Sequence, residues 1–388
     1  MIEAAIGPVA ALGVLNSVKS PAAFIQTEGA AGLDMSNRPF ASSIDVAILD
    51  PLHDPDWDDL VVSHPDCGFF HSAAWAKVLV KTYAHRPFYL YFSRQFQAVA
   101  LVPIMEIKSL FTGRRGVSLP FSDLCAPLIF DQSESARVIG KISELGRERR
   151  WRYFELRGGN EMLPECAVAA EKYFSHKLDL TVGLDELFAR FQSPVRRAIR
   201  KAENAGVTVE VSRAWEAMMD FYKLHIRTRR RHGLPPQPLS FFRNIHEEIV
   251  RRDLGFVVLA RIGPKPIAAA VFFHSGEAAL YKFGASDERL QELRGNNLVM
   301  WTGIKQLVEK GLRTMHFGRT SMGDEGLRRF KLSWGSVEGP IEYFRFALRR
   351  QAWEVNRQNG FGLHNQLFGR LPLAVNRFAG ALIYSHLD

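Results

Sequence analysis

Twice along this chain, short apolar runs bounded by turn residues alternate with amphipathic helical stretches, and this doubled order constrains the fold more than any other feature. In the first pass, Phe88 to Phe92, Ala98 to Ile107, Gly116 to Leu119 and Leu128 to Phe130 read as strands. Ser133 to Arg149 reads as a helix and Tyr153 to Leu156 as a returning strand. In the second pass, strand-like Lys177 to Leu180 leads into helices at Leu184 to Phe191, Val195 to Ala205, Ala214 to Arg230 and Ser240 to Arg251. Gly255 to Ile262 and Pro266 to His274 form a hairpin turning at Gly263 and Pro264, and Ala278 to Phe283 continues its sheet. The helix Asn297 to Lys310 stops at Gly311, and Leu312 to Phe317, a helix around Leu327 to Leu332 and a strand near Ile341 to Phe346 complete the pattern. The expectation is an α/β fold with mixed sheets, arranged as two similar halves rather than one barrel.

A chain of 388 residues has room for two cores, since a domain takes about 100 to 200 residues. The halves are expected at residues 44–180 and 181–346. Residues 1–43, rich in Ala, Gly, Ser and Pro without a sustained period, are expected to be a disordered extension rather than a signal peptide, because Glu3 sits where a basic region belongs. Residues 347–388 are expected to be a helical tail whose Leu371, Val375, Phe378, Ala379 and Leu382 pack against the second half.

Cys67, Cys125 and Cys166 are far apart and odd in number, which argues against a disulfide framework or a cysteine zinc site and suits a reducing cytosol. No run reaches the roughly 18 apolar residues of a spanning helix, so the expected location is cytoplasmic, with any membrane contact peripheral. The net charge of +9 suits an anionic partner: a phosphate-rich cofactor, a nucleotide-linked sugar, tRNA or an acidic membrane. There is no GxxxxGK[ST] loop, HExxH pair, GxSxG elbow or strand-borne GxGxxG, which disfavours kinase, metalloprotease, hydrolase and dehydrogenase chemistry. No metal is expected.

Three segments stand out. In the helix after Ser193, Arg196, Arg197, Arg200 and Lys201 lie off the apolar stripe, either as a solvated face or as guanidinium forks for a phosphate-bearing substrate. Tyr222 to Pro235 places Arg227, Arg229, Arg230 and Arg231 at a helix end, more cations than the helix dipole alone requires. The third runs from Tyr281-Lys-Phe-Gly through Asn296-Asn-Leu to His316-Phe-Gly-Arg-Thr and Gly326-Leu-Arg-Arg-Phe-Lys-Leu-Ser-Trp-Gly. Phe330 and Trp334 also fit a core, and Asp287 also fits a turn.

In that joint order the chain resembles the Fem and BioF2-like acetyltransferase families of the GNAT superfamily, from about Phe70 to Phe346. Thr228, Arg231 and Gly233 match the Thr-x-x-Arg-x-Gly element that the resemblance places near substrate phosphates. Phe330 and Lys331 match its Phe-Lys pair, and Gly318 and Arg319 its strand-end segment. Ala100-Leu-Val-Pro, Ser118-Leu-Pro-Phe and Cys125-Ala-Pro look like its amino-terminal domain. The usual pyrophosphate loop has no match, and Arg294-Gly-Asn-Asn, with Asn297, occupies the equivalent junction. The resemblance implies tandem GNAT-like domains and transfer of an acyl or aminoacyl group, from acyl-CoA or aminoacyl-tRNA, onto an amine of a phosphorylated sugar or other cell-envelope or exopolysaccharide precursor.

Amide formation from an activated donor requires orientation and oxyanion stabilisation but no covalent enzyme intermediate. Lys331 and Tyr281 are the expected catalytic side chains, and Thr228, Arg231, Arg319, Arg197 and Asn297 the expected substrate-binding ones. No general base stands out among Asp287, His316, Asp324 and Glu325. The alternatives are an aminoacyl-tRNA-dependent peptidoglycan-bridge transferase, less favoured because heptads for a coiled-coil arm are lacking, and a non-catalytic RNA-binding or envelope-assembly protein.

Overall fold

A computed structural model describes residues 44–109, 112–355, 368 and 372–387. The expected extension at 1–43 lies outside the described residues. The described residues all belong to one compact unit.

The first half contains β1 (Asp45–Leu49), α1 (Trp57–Val62), α2 (Ala73–Tyr83), β2 (Arg86–Arg94), β3 (Gln97–Ser109), β4 (Gly113–Val117), β5 (Leu128–Ile129), α3 (Ser135–Glu148) and β6 (Tyr153–Arg157). β7 (Glu171–Asp179) is followed by α4 (Leu184–Arg190), α5 (Ser193–Asn204), β8 (Thr208–Ser212), α6 (Trp215–Arg231) and α7 (Leu239–Ile245). Then come β9 (Gly255–Ile262), β10 (Lys265–Ser275), β11 (Ala278–Ser286), α8 (Gly295–Glu309), β12 (Thr314–His316), β13 (Thr320–Ser321), α9 (Glu325–Leu332), β14 (Val337–Ala347) and β15 (Ala352–Glu354). A C-terminal helix covers Leu373–Ile383.

One mixed sheet runs through both halves in the order β1-β2-β3-β4-β6-β14-β7-β12-β11-β10-β9-β8. The late strand β14 lies between β6 and β7, so it ties the first half to the second. β7 begins at Glu171, six residues before the expected Lys177, because its first residues carry no apolar alternation and are held by pairing to β14 instead. Helices cover the sheet by the 3.6-residue rule. In α5, Pro194 occupies the first turn, where its missing N–H costs nothing. Val195, Ile199 and Ala202 turn inward toward α8, and burial of Val195 or Ile199 contributes about 1.5–3 kcal/mol each. The basic side chains of α5 stay on the opposite face.

Among the described residues three apolar clusters hold the layers together, and the largest of them crosses between the halves. Phe69 of the first half stacks on Phe273 of β10 at 4.7 Å, and Trp75 of α2 meets Phe241 of α7 edge-on at 6.0 Å. That shared core fixes the loop after β4 against β11.

The C-terminal helix corrects the expectation for the tail. It packs on α6, but through Asn376, Gly380 and the following Tyr384, while Val375, Phe378 and Leu382 face outward. The cause is steric: a methyl group at Gly380 would overlap the Pro236 carbonyl oxygen, so only the small face of this helix can approach that closely. Leu371 lies outside the described residues.

Candidate active site

β11 and β12 run parallel for three residue pairs, ending at Leu280 with His316. β11 continues to Ser286, and no described strand pairs with that edge from Tyr281 onward. Backbone polar groups there must be met by side chains, water or a ligand. Thr228 of α6 meets some of them: its Oγ1 accepts from Ser286 N at 3.2 Å and donates to Ser286 O at 3.3 Å. A cleft of about 240 Å³ opens beside this edge, lined among others by Ile267, Ser286, Arg294, Asn296, Asn297 and Phe330. It faces the N-terminus of α8, where unpaired N–H groups and the helix dipole favour anions.

Phe330 leads from the cleft to Lys331, which is buried at 2 % exposure rather than solvent-facing. Lys331 Nζ donates to Gly318 O at 2.8 Å and Arg319 O at 3.0 Å, fixing the chain beyond β12. Burial pulls its pKa down to about 8, against the pull of Asp123 and Asp324 in the other direction. Arg319 lies over the ring of Tyr173 at 4.7 Å and donates to Tyr343 Oη at 2.9 Å, and Tyr343 Oη donates to Asp123 O at 2.8 Å.

Two residues that sequence reasoning did not nominate complete this cluster. Lys282 Nζ donates to Asp123 Oδ2 at 3.0 Å and Phe121 O at 2.8 Å, over the face of Phe70 at 4.7 Å. Burial opposes ionisation of Asp123, but Lys282, Arg319 and Lys331 outweigh it and hold its pKa below the usual carboxylate value. Lys282 answers differently: burial lowers its pKa despite Asp123, with Arg319 and Arg157 adding to the effect. The hydrogen-bonded geometry fits the charged pair. The signal available in the sequence was a lysine between two aromatic residues of an otherwise apolar strand, since such a lysine needs a buried partner.

Of the nominated residues, Lys331 and Arg319 therefore meet around Asp123, Asn297 lines the cleft, and Thr228 holds the cleft residue Ser286 without lining the cleft itself. Tyr281 packs against Phe272 at 5.6 Å and Phe317 at 6.3 Å, and burial raises its pKa to about 12. Its hydroxyl lies over Gly284, where a methyl group would overlap it. Gly284→Ala is expected to displace Tyr281 at a cost of about 1–3 kcal/mol. A melting temperature equal to wild type would show that the hydroxyl does not occupy that place. Arg231 sits 3.8 Å from Glu288, beyond the end of β11. Arg197 is exposed on α5, donating to Ser193 Oγ of its own helix at 2.6 Å, and does not line the cleft.

Two of the residues weighed as bases, Asp287 and Asp324, are occupied structurally. Asp287 accepts from Arg289 at 2.7 Å and caps its own turn, and Asp324 accepts from Leu327 N at 3.0 Å to cap α9. Burial, helped by Lys177, drives the His316 pKa down to about 4, so it is neutral near pH 7. Among the described residues no group of three or more His, Cys, Asp or Glu is arranged to hold a metal.

Residues 189–332, which contain the cleft, β11, β12 and Lys331, match the family model described as an acetyltransferase (GNAT) domain. Over these residues the chain is similar to GNAT acetyltransferase domains. Solved structures support the fold of the whole. FemX aligns over 77% of this chain and 96% of that chain with a TM-score of 0.61 and 15% identity. A tandem GNAT protein from the clavulanic acid biosynthesis pathway covers 79% and 99%, with a TM-score of 0.52 and 10% identity. The C-terminal domain of a putative lysylphosphatidylglycerol synthetase from Agrobacterium fabrum covers 76% and 90%, with a TM-score of 0.51 and 15% identity. No curated protein matches in sequence. The matched segment thus lies in the second half, and its Lys331 and Arg319 meet Asp123 of the first half.

Proposed function

We propose that the protein is an N-acyltransferase that moves an acyl or aminoacyl group from an activated donor onto an amine of a cell-envelope or exopolysaccharide precursor. The observation that carries this reading is the run from the α8 cleft through Phe330 to the cationic cluster of Lys331, Lys282 and Arg319 around Asp123. The helix N-terminus, Arg294 and Asn297 suit the phosphates of a donor such as acyl-CoA. The cations exceed the carboxylate in number, which suits the oxyanion that develops when a carbonyl is attacked.

In the reaction the amine lone pair forms the C–N bond, and the donor's C–S or C–O bond breaks as the tetrahedral species collapses. The leaving group takes that electron pair, and the proton shed by the nitrogen passes to it or to water. Orientation of the two substrates supplies much of the acceleration, since effective molarities correspond to about 7–11 kcal/mol. The cell-envelope assignment draws support from the FemX-like fold and from the lysylphosphatidylglycerol named for the Agrobacterium fabrum neighbour. The second reading, an aminoacyl-tRNA-dependent peptidoglycan-bridge transferase, draws on the likeness to FemX over 96% of that chain.

Asn297→Asp tests the donor site. An acidic residue in the first turn of α8 stabilises the helix by about 0.3–1 kcal/mol, so melting should hold or rise slightly. The same charge opposes phosphates, and affinity for acetyl-CoA or charged tRNA, whichever the wild type binds in calorimetry, should fall by about tenfold or more. Unchanged donor affinity would remove Asn297 and its cleft from the binding site.

A further inference from the structure

Leu119, Pro120, Phe121 and Ser122 form a β-turn after β4, closed by Ser122 N donating to Leu119 O at 3.3 Å. Its third residue, Phe121, has φ +59°, a left-handed conformation that this position of a turn usually gives to Gly or Asn. Leu119, at the first position, is left-handed as well, with φ +48°. A bulky residue keeps such a backbone only where its surroundings over-determine it, and residues of this kind gather at functional sites. Here the Phe121 carbonyl accepts from Lys282 at 2.8 Å, and Asp123, two residues on, accepts from the same ammonium. The strained turn therefore carries the carbonyl and the carboxylate that receive Lys282.

Each part of the turn has its own restraint. The Leu119 carbonyl accepts from Arg157 Nη1 at 3.1 Å and from Ser122 Oγ at 2.6 Å, and Tyr343 Oη holds the Asp123 carbonyl. Phe121 is held by its ring, which packs against Tyr83 at 5.1 Å, Tyr384 at 5.7 Å and Phe241 at 6.3 Å. Tyr83 and Phe241 belong to α2 and α7 in the shared core, but Tyr384 comes from beyond the C-terminal helix. It is buried, and its hydroxyl is fixed from two sides, accepting from Arg229 Nη2 at 2.6 Å and donating to Pro235 O at 3.1 Å. Two residues later the His386 carbonyl accepts from buried Arg115 of β4 at 2.8 Å. Tyr384–His386 thus runs from α6 to β4 past the ring of Phe121, tied by Arg229 at one end and by Arg115 at the other. Arg229, one of the cations clustered at the end of α6, has its work in this anchor.

We infer that the C-terminal segment is a strap for the active site and that Tyr384 is its positioning residue, whose ring holds Phe121 in the left-handed conformation that presents the Phe121 carbonyl to Lys282. Without that ring the turn relaxes, the carbonyl turns away, and Lys282 is left on Asp123 alone. The effect on turnover rests on the transferase reading proposed above, whereas the hold on the turn does not.

The test compares full-chain Tyr384→Ala and Tyr384→Phe with wild type by amide hydrogen exchange and by steady-state transfer, at a temperature where all three are folded. Tyr384→Ala is expected to speed exchange of the Ser122 amide by about tenfold or more, with the amides of β9 and β10 unchanged. Its kcat should fall by about tenfold or more, the scale for a small misplacement of a reacting group's support. Its KM for the donor should stay at the wild-type value, because no residue of Tyr384–His386 lines the α8 cleft. Tyr384→Phe keeps the ring and loses both hydroxyl hydrogen bonds, so it should melt below wild type yet keep its Ser122 protection and its kcat. Wild-type exchange at Ser122 in Tyr384→Ala overturns the inference, as does an equal rise in exchange through β9 and β10, which would make Tyr384 a packing residue only. A looser turn with unchanged kcat overturns the positioning role. A wild type that forms no amide with any donor defeats the transferase reading instead, and exchange at Ser122 then decides the strap by itself.

Discussion

Asp123→Ala is expected to destabilise the protein by about 3 kcal/mol or more, the scale for removing one partner of a buried pair. The side chain of Lys282 is 7 % exposed and would be left among Phe70, Trp75 and Phe283 with only the Phe121 carbonyl. Asp123→Asn keeps the shape and loses the charge, so its cost should fall between wild type and alanine. The pH dependence follows from the sign of the shift. The folded pKa of Asp123 lies below the ordinary value of 3.8, so its contribution is present above that value and is lost as pH falls through the lower folded one. Denaturant melts check both effects. A loss under about 1 kcal/mol for the alanine variant would mean that the pair is not buried in solution.

The largest effect on activity is expected at Lys331. Lys331→Ala should lower kcat/KM by about 10²-fold, the scale for losing one preorganised electrostatic group. A surface lysine could be removed at little cost in stability, but this one is buried. The Gly318 and Arg319 carbonyls would lose their donor, at about 1–3 kcal/mol. Lys331→Met separates the two roles, since it restores much of the packing without the charge. Its melting temperature should recover in part while its activity stays as low as that of alanine. With a pKa near 8, the wild-type advantage over Lys331→Met should shrink as pH rises through about 8. Stability shows the opposite sign. Between about 8 and the ordinary 10.5 the unfolded chain holds the lysine proton that the folded one has released, so wild-type stability gains with pH there and Lys331→Met does not. Full activity in Lys331→Met would assign the residue a purely structural role.

Much of the fold was legible because its elements follow simple periods. Val195, Ile199 and Ala202 announce α5, and the Gly263-Pro264 turn announces the β9–β10 hairpin. The start of β7 was not legible, because Glu171 to His176 owes its strand state to β14, more than 150 residues away in the chain. For the C-terminal helix the period could be read but the buried side could not, since Asn376, Gly380 and Tyr384 are spaced just as regularly as Val375, Phe378 and Leu382. In the site, the motif order brought out Lys331 and Arg319 together. Asp123 escaped because it lies in a loop with no period, and its meaning comes from Lys282, which faces it from β11. The register shift between Val271 and Phe272, opposite Lys282, leaves no trace in the sequence.

The central claim is that the α8 cleft and the Asp123 cluster together form an acyl-transfer site. The most direct measurement is mass-spectrometric detection of amide formed from labelled acyl-CoA or aminoacyl-tRNA and amine-bearing envelope precursors, with wild type, Asn297→Asp and Lys331→Met compared side by side. A labelled amide is expected with one donor class in the wild type, restored in Asn297→Asp by raised donor concentration, and not restored by it in Lys331→Met. An amide formed equally by all three proteins would contradict it, as would no amide from either donor with any of the acceptors.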